Sequence, residues 1–247
     1  MPVLPFLVAA AGAKITLQYH PKVGSSYRFS VTSSGQTPMG SSTVNAVTAL
    51  KVLSHEKDFY RVEMRVSNVK NGGNAPTANL DKAVYVLDYD SYGQMKADPK
   101  SASAGAQRLL GGFGNETIGM QFAHHPVAVG DTWTNTVDMG KIMATMSKGQ
   151  AKNPVGTVVM TFKLVQASTK SAVISCTLKG GVKMEVTAGS GANKRLMQVS
   201  QSMSGGGQYT VERSTGVYLA SNLKIQTATT AGSQHFSSSQ SVSMKRL

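Results

Sequence analysis

Apolar and polar residues alternate along most of this chain. The clearest run is Phe59 to Val69, where Tyr60, Val62, Met64 and Val66 share one face and Arg61, Glu63, Arg65 and Ser67 the other. A period of two predicts a strand with one buried and one wet face. The same pattern predicts strands over Lys14–Tyr19, Tyr27–Thr32, Val44–Leu53, Ala83–Tyr89, Val155–Val165, Ala172–Leu178, Lys183–Thr187, Leu196–Met203, Gln208–Glu212, Val217–Thr227 and His235–Met244. Glycine, serine and asparagine clusters separate many of them and read as turns. Two stretches depart from alternation. Ala104–Leu110, running on toward Phe122, has a weak helical spacing broken by Gly111, Gly112 and Gly114, and Asp138–Met146 reads as a short helix with Asp138 near its start.

The two halves of the chain resemble each other. Pro21-Lys22-Val23-Gly24-Ser25-Ser26-Tyr27 matches Val127-Ala128-Val129-Gly130-Asp131-Thr132-Trp133. Lys51-Val52-Leu53 matches Lys163-Leu164-Val165, and Asp90-Ser91-Tyr92-Gly93 matches Arg213-Ser214-Thr215-Gly216. The order is kept while the offset grows from 106 to 112 to 123, as loop insertions produce. The expected fold is mainly β: an antiparallel curved sheet or half-barrel made of two duplicated halves, with one or two short helices in the middle. Residues 14–100 are expected to form the first half, 101–123 a helical or flexible connector and 124–247 the second half.

The phrase His125-Pro126-Val127-Ala128-Val129-Gly130-Asp131-Thr132-Trp133, with Leu87-Asp88-Tyr89-Asp90-Ser91 and Arg213-Ser214-Thr215-Gly216, resembles a family of bacterial secreted proteins without an assigned activity. The resemblance implies a secreted β-rich protein and carries no catalytic residues. The duplicated, curved layout is similar at the level of fold to periplasmic lipoprotein-carrier half-barrels, and fold alone does not fix function.

Composition sharpens this picture. Of 247 residues, 40% are hydrophobic and 15% charged, which excludes a disordered chain and leaves enough apolar material for a sizeable core. Residues 1–13 read as a signal peptide with an apolar run from Val3 to Ala11, followed by the small-x-small set Ala11-Gly12-Ala13. No positive charge precedes the run. The expected location is therefore outside the cytoplasm, periplasmic or extracellular. Cys176 is the single cysteine, so neither an internal disulfide nor a cysteine-based metal site is available. Net charge is uneven. Residues 1–138 hold 12 Lys/Arg against 10 Asp/Glu, and residues 139–247 hold 13 against 2. The second half is a candidate surface for anionic partners. Lysines outnumber arginines 18 to 7, which argues against sequence-specific nucleic-acid reading.

The motifs tested for chemistry fail. Asp88-Tyr89-Asp90-Ser91-Tyr92-Gly93 begins like a calcium loop but has Tyr92 at the fifth position and Pro99 at the twelfth; a hairpin turn explains it. His124 and His125 point to opposite sides of an extended backbone and do not chelate one metal. Gly111-Gly112-Phe113-Gly114 lacks the lysine of a phosphate loop, and no Gly-x-Ser-x-Gly turn occurs. The sequence reads as a non-enzymatic protein without cofactor. Tyr27 and Trp133 are expected to pack at strand starts, and the 13 methionines serve either as core filler or as an adaptable binding surface.

Two binding hypotheses remain. A curved sheet has a concave face that needs a cover, and residues 101–146 are the expected cover. An apolar small molecule or lipid between sheet and cover would meet Leu110, Phe113, Phe122, Met139 and Met143. Alternatively, Lys141, Lys148, Lys152, Lys194 and Arg195 form an anion-binding set for polyanions or anionic membrane.

Overall fold

The computed structural model describes residues 12–73, 81–96, 120–147, 151–188 and 195–247. Leu110, Phe113, Lys148 and Lys194 lie outside the described residues, as do most of the signal segment and of the connector. The first half supplies β1 (Ser26–Thr37), β2 (Gly40–His55), β3 (Tyr60–Gly73), β4 (Val84–Tyr89) and β5 (Met95–Lys96). The second supplies β6 (Thr132–Asp138), helix α1 (Met139–Met146), β7 (Ala151–Val155), β8 (Thr157–Ala167), β9 (Ser171–Ala188), β10 (Arg195–Glu212), β11 (Tyr218–Ala231) and β12 (Gln234–Arg246). The protein is mainly β, and its strands form one antiparallel sheet in the order β5-β4-β3-β2-β1-β12-β11-β10-β9-β8-β6, with β7 paired to β9. The sheet is not closed: β5 and β6 are its edges.

One face of this sheet is apolar, as the alternation requires. Phe29 and Val31 on β1, Val62 and Met64 on β3, and Phe162, Ile174 and Val211 on β8, β9 and β10 are all buried. The opposite face carries serine, threonine and lysine. Six strand steps separate β4 from β10, roughly 29 Å on a flat sheet at the usual spacing. Yet Tyr89 of β4 and Tyr209 of β10 wall the same cavity. The sheet is therefore strongly curved with its apolar face inward.

Three expectations are corrected. Lys14–Tyr19 alternates like a strand but adds none to the sheet; only Ile15 pairs, with Val127 outside the named strands. It is an extended strap, and its alternation reflects Ile15 and Leu17 buried below it. The stretch toward Phe122 is not helical where described: 120–123 has no regular structure and runs beside the first strap. Ala172–Leu178 and Lys183–Thr187 are one strand, β9, and Leu196–Met203 and Gln208–Glu212 are another, β10, which pair in unbroken register. Their internal glycines are not turns. A Cβ at Gly207 would overlap the Asn222 carbonyl oxygen of the neighbouring strand, so glycine permits close backbone approach there.

Helix α1 forms as the sequence predicts. Asp138 is its N-cap and accepts from the Lys141 backbone N–H at 2.8 Å. The first pair of matched turn motifs adopts the same hydrogen bonds. Gly24 N–H donates to Val52 O (2.9 Å) and Val52 N–H to Ser25 O (3.0 Å); Gly130 N–H donates to Leu164 O (2.8 Å) and Leu164 N–H to Asp131 O (3.0 Å). The Ser-containing pair differs: Gly93 N–H donates to Asp90 O three residues back, whereas Gly216 N–H donates to Glu212 O four residues back.

Candidate functional site

The two straps close the end of the sheet where β1 begins and β12 finishes. Ile15 and Val127 exchange backbone hydrogen bonds of 2.8 and 2.9 Å. Tyr19 N–H donates to Ser91 O and His20 N–H to Thr215 O, each at 2.7 Å, while Phe122 N–H donates to Tyr92 O at 2.8 Å. The two matched Ser-containing turns thus serve as docking points for the straps. Gly216 makes one of these contacts possible: its φ is +67°, and a Cβ there would overlap the Gln18 carbonyl oxygen.

Above the straps lies a cavity of about 160 Å³. Phe29, Leu50 and Met64 wall it from the first half, Leu223 and Val242 from the second, and Phe122 from the second strap. Tyrosines ring it. Tyr19 meets Tyr60 edge-on and Tyr89 at a tilt, both with centroids 5.6 Å apart, and Tyr209 and Tyr218 lie 5.8 Å apart. Every described residue lining this space is uncharged. Burial raises the Tyr19 hydroxyl far above its ordinary range, helped by the nearby Tyr27, Tyr218 and Tyr60 hydroxyls. Burial does the same to Tyr209, with Tyr218 and Cys176 adding to it. The space is consequently hostile to ions. Tyr209 is 5% exposed, and its hydroxyl is buried without a hydrogen-bond partner among the described residues.

Polar groups sit at the margins. The Tyr60 hydroxyl shares a hydrogen bond with His20 Nδ1, and His55 stacks on the Tyr60 ring at 4.1 Å. The Arg246 guanidinium lies 4.8 Å from the Tyr27 ring centroid and 3.5 Å from Glu212 Oε2, an ion-pair distance without hydrogen-bond geometry. Burial pushes the Cys176 thiol up to about 11, so at neutral pH it is a protonated apolar side chain. Among the described residues no group of three or more His, Cys, Asp or Glu is placed to hold a metal ion.

Of the apolar residues singled out in sequence, Phe122 is a cavity wall, 2% exposed. Met139 and Met143 do not join it: they belong to α1, which packs on β7, β8 and β9 at the far end of the sheet. That is a correction, and its cause is that the helix follows β6, whose chain runs away from the strapped end. Lys141, Lys152 and Arg195 are exposed and lie on α1, β7 and β10 around one end of β9. Glu185 interrupts that set, opposite Lys152 in the β7–β9 register and hydrogen-bonded to Gln198 at 2.6 Å. Tyr19, Tyr89, Tyr209 and Tyr218 were missed. Alternation does not single them out, although Tyr89 precedes the first of the matched turns and Tyr209 and Tyr218 flank the second.

No family model matches the chain, and no curated protein matches it.

Proposed function

We propose that this protein is an exported, non-enzymatic binding protein that holds an apolar ligand between the concave face of its sheet and the two straps. The observation that carries this reading is the 160 Å³ cavity, lined by uncharged residues and roofed by aromatics from both halves. Ordinary core is packed to the density of organic crystals, and voids larger than a water are few. Small-molecule sites are concave and mostly apolar with a few polar groups, and this space has that character at a volume below the usual range, which suits a small guest. Gentle purification followed by solvent extraction and mass spectrometry tests the proposal. A stoichiometric neutral molecule should accompany the native protein and be absent from Leu223→Trp, in which the larger side chain fills the space. A native protein that carries nothing and binds no uncharged fluorescent probe saturably would sink it.

A second reading has one observation in its favour. Lys141, Lys152 and Arg195 come from three separate elements to one end of β9, within a half of the chain carrying 13 cations against 2 anions. On this reading the protein docks on an anionic membrane through that end. Binding to anionic vesicles should then fall steeply with salt, because exposed charges are screened beyond about 8 Å at physiological ionic strength. Salt-independent or absent vesicle binding rejects it. The matched turns support, in addition, an origin by duplication of one five-stranded unit.

A further inference from the structure

We infer that the outer, polar face of the sheet binds an acidic polysaccharide in a hollow bordered by lysines. This site lies on the face opposite the apolar cavity and does not depend on it. Its shape comes from the strands. Ser202 and Ser204 flank the buried Met203, and Gln226 follows the buried Ile225, so all three side chains point outward. With Gln36, Ser237, Ser239 and the β1–β2 turn at Thr37 and Pro38, they line a hollow of about 700 Å³. A strongly twisted sheet is saddle-shaped, so its convex side is hollow along one diagonal.

Register sets the layout. Gln36, Ser239, Gln226, Ser204 and Lys179 are successive cross-strand partners on β1, β12, β11, β10 and β9. Four strand steps make this row roughly 19 Å long, enough for several sugar units. Its hydroxyls and carboxamides can each donate and accept hydrogen bonds, as the hydroxyls of a sugar require. Lys179 ends the row, and Lys224 stands two residues from Gln226 on the same face of β11.

Charge selects the ligand. The outer face of β8 to β12 carries Lys163, Lys179, Lys183, Lys224 and Lys245, all exposed. The only acids on these strands are Glu185, bonded to Gln198, and Glu212, bonded to Thr215. An anion is therefore the complementary guest. The residues lining the hollow include no aromatic ring on which a base could stack, which argues against single-stranded nucleic acid. They include no large apolar side chain to enter a bilayer, which argues against a membrane. Flexible lysines suit carboxylates spaced along a polymer better than one fixed bidentate geometry.

The experiment is isothermal titration of the full chain at pH 7 with oligogalacturonate, dextran and anionic vesicles. Oligogalacturonate should bind saturably, weaken as salt is added, and bind at least about tenfold more tightly than neutral dextran. Lys179→Glu with Lys224→Glu should weaken it at least about tenfold. Lys152→Glu with Arg195→Glu makes the same change in net charge away from the hollow and should leave affinity within about twofold. Ser204→Ala with Gln226→Ala changes no charge and should cost about three- to tenfold. All these positions are exposed, and thermal melts establish that the variants are folded. Equal losses from the two charge-reversal pairs would mean that net charge alone attracts the polymer and would overturn the inference. So would dextran binding as tight as oligogalacturonate, full affinity in Ser204→Ala with Gln226→Ala, or no binding of oligogalacturonate. Vesicle binding that Lys179→Glu with Lys224→Glu abolishes would make this face a membrane surface and would likewise overturn it.

Discussion

Tyr209 is a residue whose polar end gives the fold nothing. Replacing a buried donor that has no partner by an apolar isostere is close to neutral or stabilising. Tyr209→Phe is therefore expected to melt at or slightly above the native temperature, whereas Phe162→Ala, which empties a fully buried site in the main core, should cost about 3–5 kcal/mol. Calorimetry on the two variants checks the pair. The tyrosines also set an alkaline limit. Folding raises the hydroxyls of Tyr19 and Tyr209 above their unfolded value of 10.0, so the native state keeps protons that the unfolded chain loses. The stability they lend is complete below pH 10 and is lost as pH climbs past it, at about 1.4 kcal/mol per pH unit for each residue. Urea midpoints should thus be level from pH 7 to 9 and fall above 10, less steeply in Tyr209→Phe. At this scale the sequence was legible where alternation decides burial, as at Phe29 or Met64. It was not legible for tyrosines, since periodicity does not tell a wall of a cavity from a member of the core.

Among the elements, the sheet strands and α1 followed from pattern and capping. Asp138 stood where a helix start requires an acceptor, and Asp138→Ala should lower stability by about 1 kcal/mol in thermal unfolding. The straps did not follow, because a buried extended segment alternates just as a paired strand does; Ile15, Leu17 and Tyr19 carry no mark distinguishing them. Likewise Gly205, Gly206 and Gly207 read as a turn in isolation, but the register of β10 against both β9 and β11 runs straight through them. Long-range pairing overrides a local preference. The strap contact at Gly216 provides a test at this scale. Gly216→Ala places a side chain in a left-handed conformation, a cost of about 1–2 kcal/mol, and drives it into the Gln18 carbonyl. Limited proteolysis should then cut near residues 14–20 at protease levels that leave the native chain intact, with a lowered melting temperature.

For the whole molecule, curvature is the property that matters. A flat sheet of these strands would expose its apolar face, and two short straps would cover little of it. Bending brings Tyr89 and Tyr209, six strands apart, around one space. Composition and the two-fold motif pattern predicted a curved sheet of this type, while the position of its cavity depended on which end the straps close, a tertiary fact with no local signature. The most direct test of the account is a crystal structure of the native chain under xenon pressure, since xenon enters dry apolar cavities of this size. The account predicts one strong xenon site between Phe122, Leu223 and Val242, lost in Val242→Phe. A continuous, tightly packed interior with no xenon in that space would contradict it.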